Sequence, residues 1–171
     1  MLLDITPILN GDTDVLSFEG DDVPENTEGL DFVFSAPIHL SGKVTNMAGY
    51  MSLTLDAAYS YDAVCARCLA PIHRDCKLSL EKSVAAEGTL ENEDTDEYLI
   101  ARGKKLDLSE PVLDMVYLDL PEKFLCKEDC AGLCPVCGKD LNQGTCGCKT
   151  KQVDPRLQIL RQLLDDPNHE N

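Results

Sequence analysis

The chain has 171 residues, 43% of them hydrophobic, with 5% aromatics and no tryptophan; this suits one ordinary domain with a small appendage and an aliphatic core. Its formal net charge is −16, which opposes non-specific phosphate binding by the chain as a whole. No apolar run reaches the roughly eighteen residues of a membrane span.

The opening Met1-Leu2-Leu3-Asp4-Ile5-Thr6-Pro7 has neither a basic n-region nor a long apolar h-region, so no signal peptide is read and a cytoplasmic location is expected. In a reducing cytosol, clustered cysteines are expected as metal ligands rather than as disulfides. The acidity falls in two blocks. Residues 1–31 hold nine carboxylates and no base, and residues 87–97 hold six more (Glu87, Glu91, Glu93, Asp94, Asp96 and Glu97), again with no base. The rest of the chain is nearly neutral. Such blocks read as solvated loop or as an electrostatic handle for a basic partner.

In chain order, residues 1–9 alternate loosely and predict a short strand or edge segment. Asn10 to Gly29 reads as a loop, or as a strand pair joined through Gly20-Asp21-Asp22. From Leu30 the period becomes two, with Phe32, Phe34, Ala36, Ile38 and Leu40 on one face; Pro37 marks an edge position or a bulge. The turn chemistry of Asn46-Met47-Ala48-Gly49 separates this strand from a second, in which Met51, Leu53, Leu55, Ala57, Tyr59 and Tyr61 share a face. A third runs from Ile72 to Val84, with Cys76 beside Leu78 and Leu80 as a core residue. The three make an antiparallel meander. Tyr98–Ala101 predicts a short strand. Leu106 to Pro111 starts a helix with Ser109 as N-cap and Pro111 in the first turn. Its apolar face is Val112, Leu113, Val116, Tyr117 and Leu120, and Pro121 ends it. Asp154-Pro155-Arg156 caps a last helix bearing Leu157, Leu160, Leu163 and Leu164.

Between the two helices lies the most informative stretch. Six of the nine cysteines fall between Cys126 and Cys148. Cys134-Pro135-Val136-Cys137-Gly138 is a zinc-knuckle sequence: two thiolates two residues apart can hold one metal from a tight turn, with Pro135 presetting it and Gly138 taking the positive φ that follows. Tetrahedral zinc needs a second pair. Cys146 and Cys148 are preferred, because they return through Gly144; Cys126 and Cys130 are the alternative. A second C-x2-C, Cys65-Ala66-Arg67-Cys68, sits between the second and third strands. It is half a metal site, a redox dithiol, or two buried thiols. If Cys146 and Cys148 complete the first site, Cys126 and Cys130 are left to join Cys65 and Cys68 around a second zinc. No catalytic set is found: no G-x-S-x-G, no glycine-rich phosphate loop and no H-E-x-x-H. A zinc held by four thiolates is structural rather than catalytic.

Taken together these residues resemble the YceD family, the large ribosomal RNA subunit accumulation proteins. The resemblance is carried by Val64-Cys65-Ala66-Arg67-Cys68-Leu69 after a long strand and by Leu106-Asp107-Leu108 leading to a helix that ends Leu118-Asp119-Leu120-Pro121. The run Cys130-Ala131-Gly132-Leu133-Cys134-Pro135-Val136-Cys137-Gly138-Lys139-Asp140-Leu141-Asn142 is its most distinctive part, and Asp154-Pro155-Arg156 closes it. The resemblance implies a non-enzymatic role in ribosomal RNA accumulation and large-subunit biogenesis, with a ribosomal protein or a ribosomal RNA precursor as partner and no small-molecule substrate.

The expected fold is α+β: an antiparallel meander with two helices and a small cysteine-rich, zinc-bound C-terminal module. The expected division is residues 1–121 and 122–171. Three functions compete: an assembly factor whose acidic blocks hold a basic ribosomal protein, an RNA-binding zinc module using Lys127, Lys139, Lys149, Lys151, Arg156 and Arg161, and a thiol redox or metal-handling protein.

Overall fold

The computed structural model describes residues 1–24, 29–89 and 97–148. The last helix expected from Asp154 and the carboxylates of Glu91, Glu93, Asp94 and Asp96 lie outside them, as do Lys149, Lys151, Arg156 and Arg161. The described chain is α+β, mostly strands with two helices. It divides into two compact units, one made of Met1–Cys65 with Ala70–Cys126, the other of Ala66–Leu69 with the chain from Lys127 onward.

The first unit runs β1 (Leu2–Asp4), α1 (Thr6–Leu9), β2 (Val15–Asp22), β3 (Phe32–Phe34), β4 (Ile38–Met47), β5 (Tyr50–Val64), β6 (Pro71–Ala86), β7 (Tyr98–Ala101), β8 (Lys105–Asp107) and α2 (Ser109–Asp119). Strands β2-β4-β5-β6-β7 lie side by side in that order; β3 also pairs with β5, and β1 pairs with β8 in a separate ribbon. The meander β4-β5-β6 is antiparallel as expected, and its hairpins are long because alternation persists without a break: Met51, Leu53, Leu55, Ala57, Tyr59, Tyr61 and Ala63 are all buried along one face of β5. The sheet is nevertheless mixed, because β7 lies parallel to β6. The connection 87–97 is about the length a parallel return needs.

Three expectations are corrected in the N-terminal third. Residues 1–9 form a three-residue strand followed by a short helix, with Ile5 and Ile8 fully buried. Residues 15–22, read as loop or as a strand pair, are one continuous strand registered against β4, with Gly20-Asp21-Asp22 inside it. The single strand expected from Leu30 is broken. Phe34 faces Tyr61 and His39 faces Ala58, so residues 35–38 stand opposite only Tyr59 and Ser60. The two extra residues form a bulge at Pro37, which cannot donate to the ladder. Because the excess is even, Phe32 and Ile38 still point inward, while Ala36 is exposed.

Gly42 sits at the centre of β4. A Cβ there would lie 2.3 Å from the Thr54 carbonyl and 2.9 Å from the Phe18 ring, so the missing side chain is what lets that ring approach the strand so closely. The β4–β5 turn is Ala48-Gly49, with φ of 53° and 94°, a two-residue primed turn. Asn46 Oδ1 accepts the Gly49 N–H at 2.9 Å.

Helix α2 starts one residue earlier than expected. Leu108 is the N-cap, and Ser109 donates its N–H to Asp107 Oδ1 at 3.0 Å instead of capping. Val112 and Val116 enter the core with Leu113 and Leu120 beside them, but Tyr117 is exposed. The helix ends at Leu120, whose ψ of 138° is the extended conformation imposed by Pro121. Phe124 then joins an aromatic group, tilted against Phe32 and edge-to-face with Tyr61, at centroid distances of 5.8 and 5.4 Å. That anchor delivers the chain to Cys126. Among the described residues no helix is long and apolar enough to cross a membrane.

Candidate metal centres

Both C-x2-C sequences adopt the same local turn. In the first, the Cys65 N–H donates to the Ala70 carbonyl at 2.8 Å, and Val64 pairs with Pro71. In the second, the Cys134 N–H donates to the Lys139 carbonyl at 2.8 Å, and Leu133 pairs with Asp140. The residue after the second cysteine has positive φ in each: 61° at Leu69 and 72° at Gly138. Each knuckle is therefore a hairpin tip that turns two sulfurs to one side. Glycine does this without strain, whereas leucine at Leu69 costs on the order of 1 kcal/mol.

In the second unit, residues 66–69 are tied to the cysteine-rich segment by Arg67. Its guanidinium donates to the carbonyls of Glu128 and Cys130 at 3.2 and 2.9 Å. Its own carbonyl accepts the Leu133 N–H at 3.0 Å. Gly132 is buried against it, where a Cβ would stand 3.0 Å from that carbonyl. Asn142 closes the other side: its Oδ1 accepts the Ala131 N–H at 2.9 Å, and its Nδ2 donates to Asp140 Oδ1 at 2.8 Å and to Cys130 Sγ at 3.4 Å.

The sulfurs gather in two groups of four. Cys134, Cys137, Cys146 and Cys148 form one, and Cys65, Cys68, Cys126 and Cys130 the other; within each, all sulfurs lie within 4.8 Å of one another. A tetrahedron with zinc–sulfur bonds of about 2.3 Å has sulfurs about 3.8 Å apart, so each group fits a tetrahedral metal after small adjustments. Cys76 stays outside both, half-buried against the core next to Leu78.

The electrostatics of the Cys134 group match its donor set. The N–H groups of Cys137 and Val136 and the neighbouring Cys146 thiol stabilise a thiolate at Cys134, lowering its pKa to about 6. Cys148 is pushed up to about 12 by the Cys137 sulfur, by burial and by Cys146. Four sulfurs this close cannot all carry charge by themselves; a dication removes the conflict and releases the remaining protons. Sequence spacing pointed to all eight cysteines, but not to Arg67 and Asn142, whose partners are set by the fold.

The two histidines among the described residues offer no comparable site. His39 on the exposed sheet face lies between Asp21 and Glu19, at 2.9 and 3.3 Å. His73 lies between Asp62 and Asp75, at 2.7 and 3.6 Å. Both rings are more than 45% exposed. His169 lies outside the described residues.

With this geometry in place, comparison identifies the class. Residues 53–164 match the family described as "Large ribosomal RNA subunit accumulation protein YceD". That is more than half of the chain, which therefore belongs to the YceD family. Among its relatives, an uncharacterised protein of Mycobacterium tuberculosis is 36% identical over 102 residues, covering 58% of this chain and 49% of that protein. The chain thus spans about half the length of the mycobacterial relatives it matches. The maize "Large ribosomal RNA subunit accumulation protein YCED homolog 1, chloroplastic" is 37% identical over 54 residues, 31% of this chain and 18% of that protein. The uncharacterised protein YlbN of Bacillus subtilis is 26% identical over 153 residues, covering 86% of this chain and 88% of its own. No solved structure matches.

Proposed function

We propose that this protein is a non-enzymatic factor in ribosomal RNA accumulation and large-subunit biogenesis, built around two structural zinc ions, and that it engages a basic ribosomal protein through its acidic segments. The observation that carries the zinc assignment is the all-thiol composition of both groups. Four protein sulfurs complete a tetrahedral shell and leave no position for water or substrate, the mark of a structural centre. Cys134, Cys137, Cys146 and Cys148 would hold one ion, and Cys65, Cys68, Cys126 and Cys130 the other. The ribosomal role rests on family membership, and the family's name describes an accumulation factor rather than an enzyme.

The partner reading rests on charge. Within residues 1–31, Glu19 and Asp21 stand on strand β2 rather than in a loop, with 73% and 65% of their side chains exposed, at one end of the sheet. A negative strand edge with a second acidic segment at residues 87–97 suits a cationic partner and repels RNA phosphates. The test is affinity capture from native lysate with and without nuclease, alongside metal analysis of the purified protein. Two zincs per chain and a basic ribosomal protein retained after nuclease support the proposal. Recovery of RNA with no protein retained after nuclease would instead favour an RNA-binding role.

A further inference from the structure

Asn142 does more than its place beyond the knuckle requires. Its carboxamide makes three hydrogen bonds at once, to the Ala131 N–H, to Asp140 Oδ1 and to Cys130 Sγ. Asp140 in turn accepts the Asn142 backbone N–H at 2.9 Å and Gln143 Nε2 at 3.1 Å, so the amide cannot rotate without breaking several bonds. The segment that carries it is the return strand of the second knuckle. The Cys134 N–H bonds to Lys139, Leu133 pairs with Asp140, and the Leu141 N–H reaches the Gly132 carbonyl at 2.9 Å. One end of this hairpin is thus the turn bearing Cys134 and Cys137, and the other end holds a donor on a sulfur of the other group.

We propose that Asn142 is a positioning residue that couples the two metal centres, so that metal at Cys134, Cys137, Cys146 and Cys148 strengthens binding at Cys65, Cys68, Cys126 and Cys130. This rests on the zinc reading above. Closing the second knuckle on a metal orders residues 133–142 and places the amide on Cys130; the other group then binds without that ordering cost. An N–H held on a ligating sulfur also fixes its direction, the kind of outer contact whose loss costs about 10–100-fold in metal affinity. Linkage makes the effect reciprocal.

The test uses cobalt(II) on the full chain, read by thiolate-to-cobalt charge-transfer absorption in competition with a chelator. Asn142→Asp keeps an oxygen for the Ala131 N–H, removes the donors to Cys130 and to Asp140 and sets a second carboxylate beside Asp140; Asn142→Ala removes all three hydrogen bonds without adding charge; Cys137→Ser disables the second knuckle. The parent is expected to load two cobalt ions in one cooperative step. Both Asn142 variants should still bind two at saturation, in two separated steps, with the weaker site about 10-fold weaker than in the parent. Cys137→Ser should weaken the remaining site by at least that factor in the parent and add nothing in the Asn142→Asp background. Independent loading in the parent, or Asn142 variants that load as the parent does, would overturn the coupling while leaving two centres intact. Absence of any thiolate-to-cobalt band would remove the metal assignment itself, and the coupling with it.

Discussion

Leu69 and Gly138 occupy equivalent positions in two knuckles, with φ of 61° and 72°, yet only one is glycine. Leu69 is 65% exposed, so its side chain gives little burial in return for the strain. Leu69→Gly should therefore raise stability by about 1 kcal/mol, and Gly138→Ala should lower it by a similar amount; denaturant titrations of the metal-loaded protein measure both. The two paired histidines make a second case at this scale. The hydrogen bond that His73 donates to Asp62 and the nearby charges of Asp62 and Asp75 raise the pKa of His73 above its ordinary 6.5; Asp21, then Glu19, does the same for His39. A raised folded-state pKa stabilises the fold fully below pH 6.5, and that contribution is lost as pH rises through the raised value. Ring-proton NMR titrations should place both midpoints above 6.5, and Asp62→Asn and Asp21→Asn should each bring its own histidine back down. Unchanged midpoints in those variants would show that the carboxylates are not the cause.

At the scale of elements, Gly42 is the glycine at which an added side chain would meet the closest neighbour. Gly42→Ala would drive a methyl into the Thr54 carbonyl, a backbone atom that cannot swing aside, and should cost about 1–3 kcal/mol or more by overpacking. Equal midpoints in thermal unfolding of parent and variant would refute this. The long hairpins were readable in the sequence because alternation in β5 runs unbroken from Met51 to Ala63, and α2 because Val112 and Val116 recur at helical spacing before Pro121. Strand β2 was not, because its acidic and glycine-rich composition outweighed an alternation whose apolar members, Leu16 and Phe18, are only half-buried. The parallel placement of β7 was equally hidden, since four apolar residues carry no direction. For the metal groups, spacing named the thiols and preferred Cys146 and Cys148 as partners of Cys134 and Cys137, with Cys126 and Cys130 as the alternative; which sulfurs come within reach of one another is tertiary information.

For the molecule as a whole, charge is the property that reaches furthest. Neutralising Glu91, Glu93, Asp94, Asp96 and Glu97 to Gln or Asn, with Glu19→Gln and Asp21→Asn in a second variant, should weaken capture of the basic partner in low salt. The difference should fade as the Debye length falls to about 3 Å near 1 M salt. The variant neutralised at residues 91–97 should unfold at the parent's temperature. The strand variant should lose some stability at low pH, because His39 loses both carboxylates. If both variants capture the partner as well as the parent, the acidic segments serve only solubility.

The bulge at Pro37 makes the register of the N-terminal strands a matter of parity. Strand β5 reads Phe32 and Ile38 as one continuous face only because the chain between them is longer by two, not by one. Removing Ser35 and Ala36 together would leave every inward side chain inward, at the cost of a strained turn at Pro37. Removing Ala36 alone would turn Phe32 and Phe34 to solvent, dissolve the aromatic group that holds Phe124, and free the approach to Cys126. In this region length variation among related chains should come in steps of two, and a one-residue change should be felt at the cysteines.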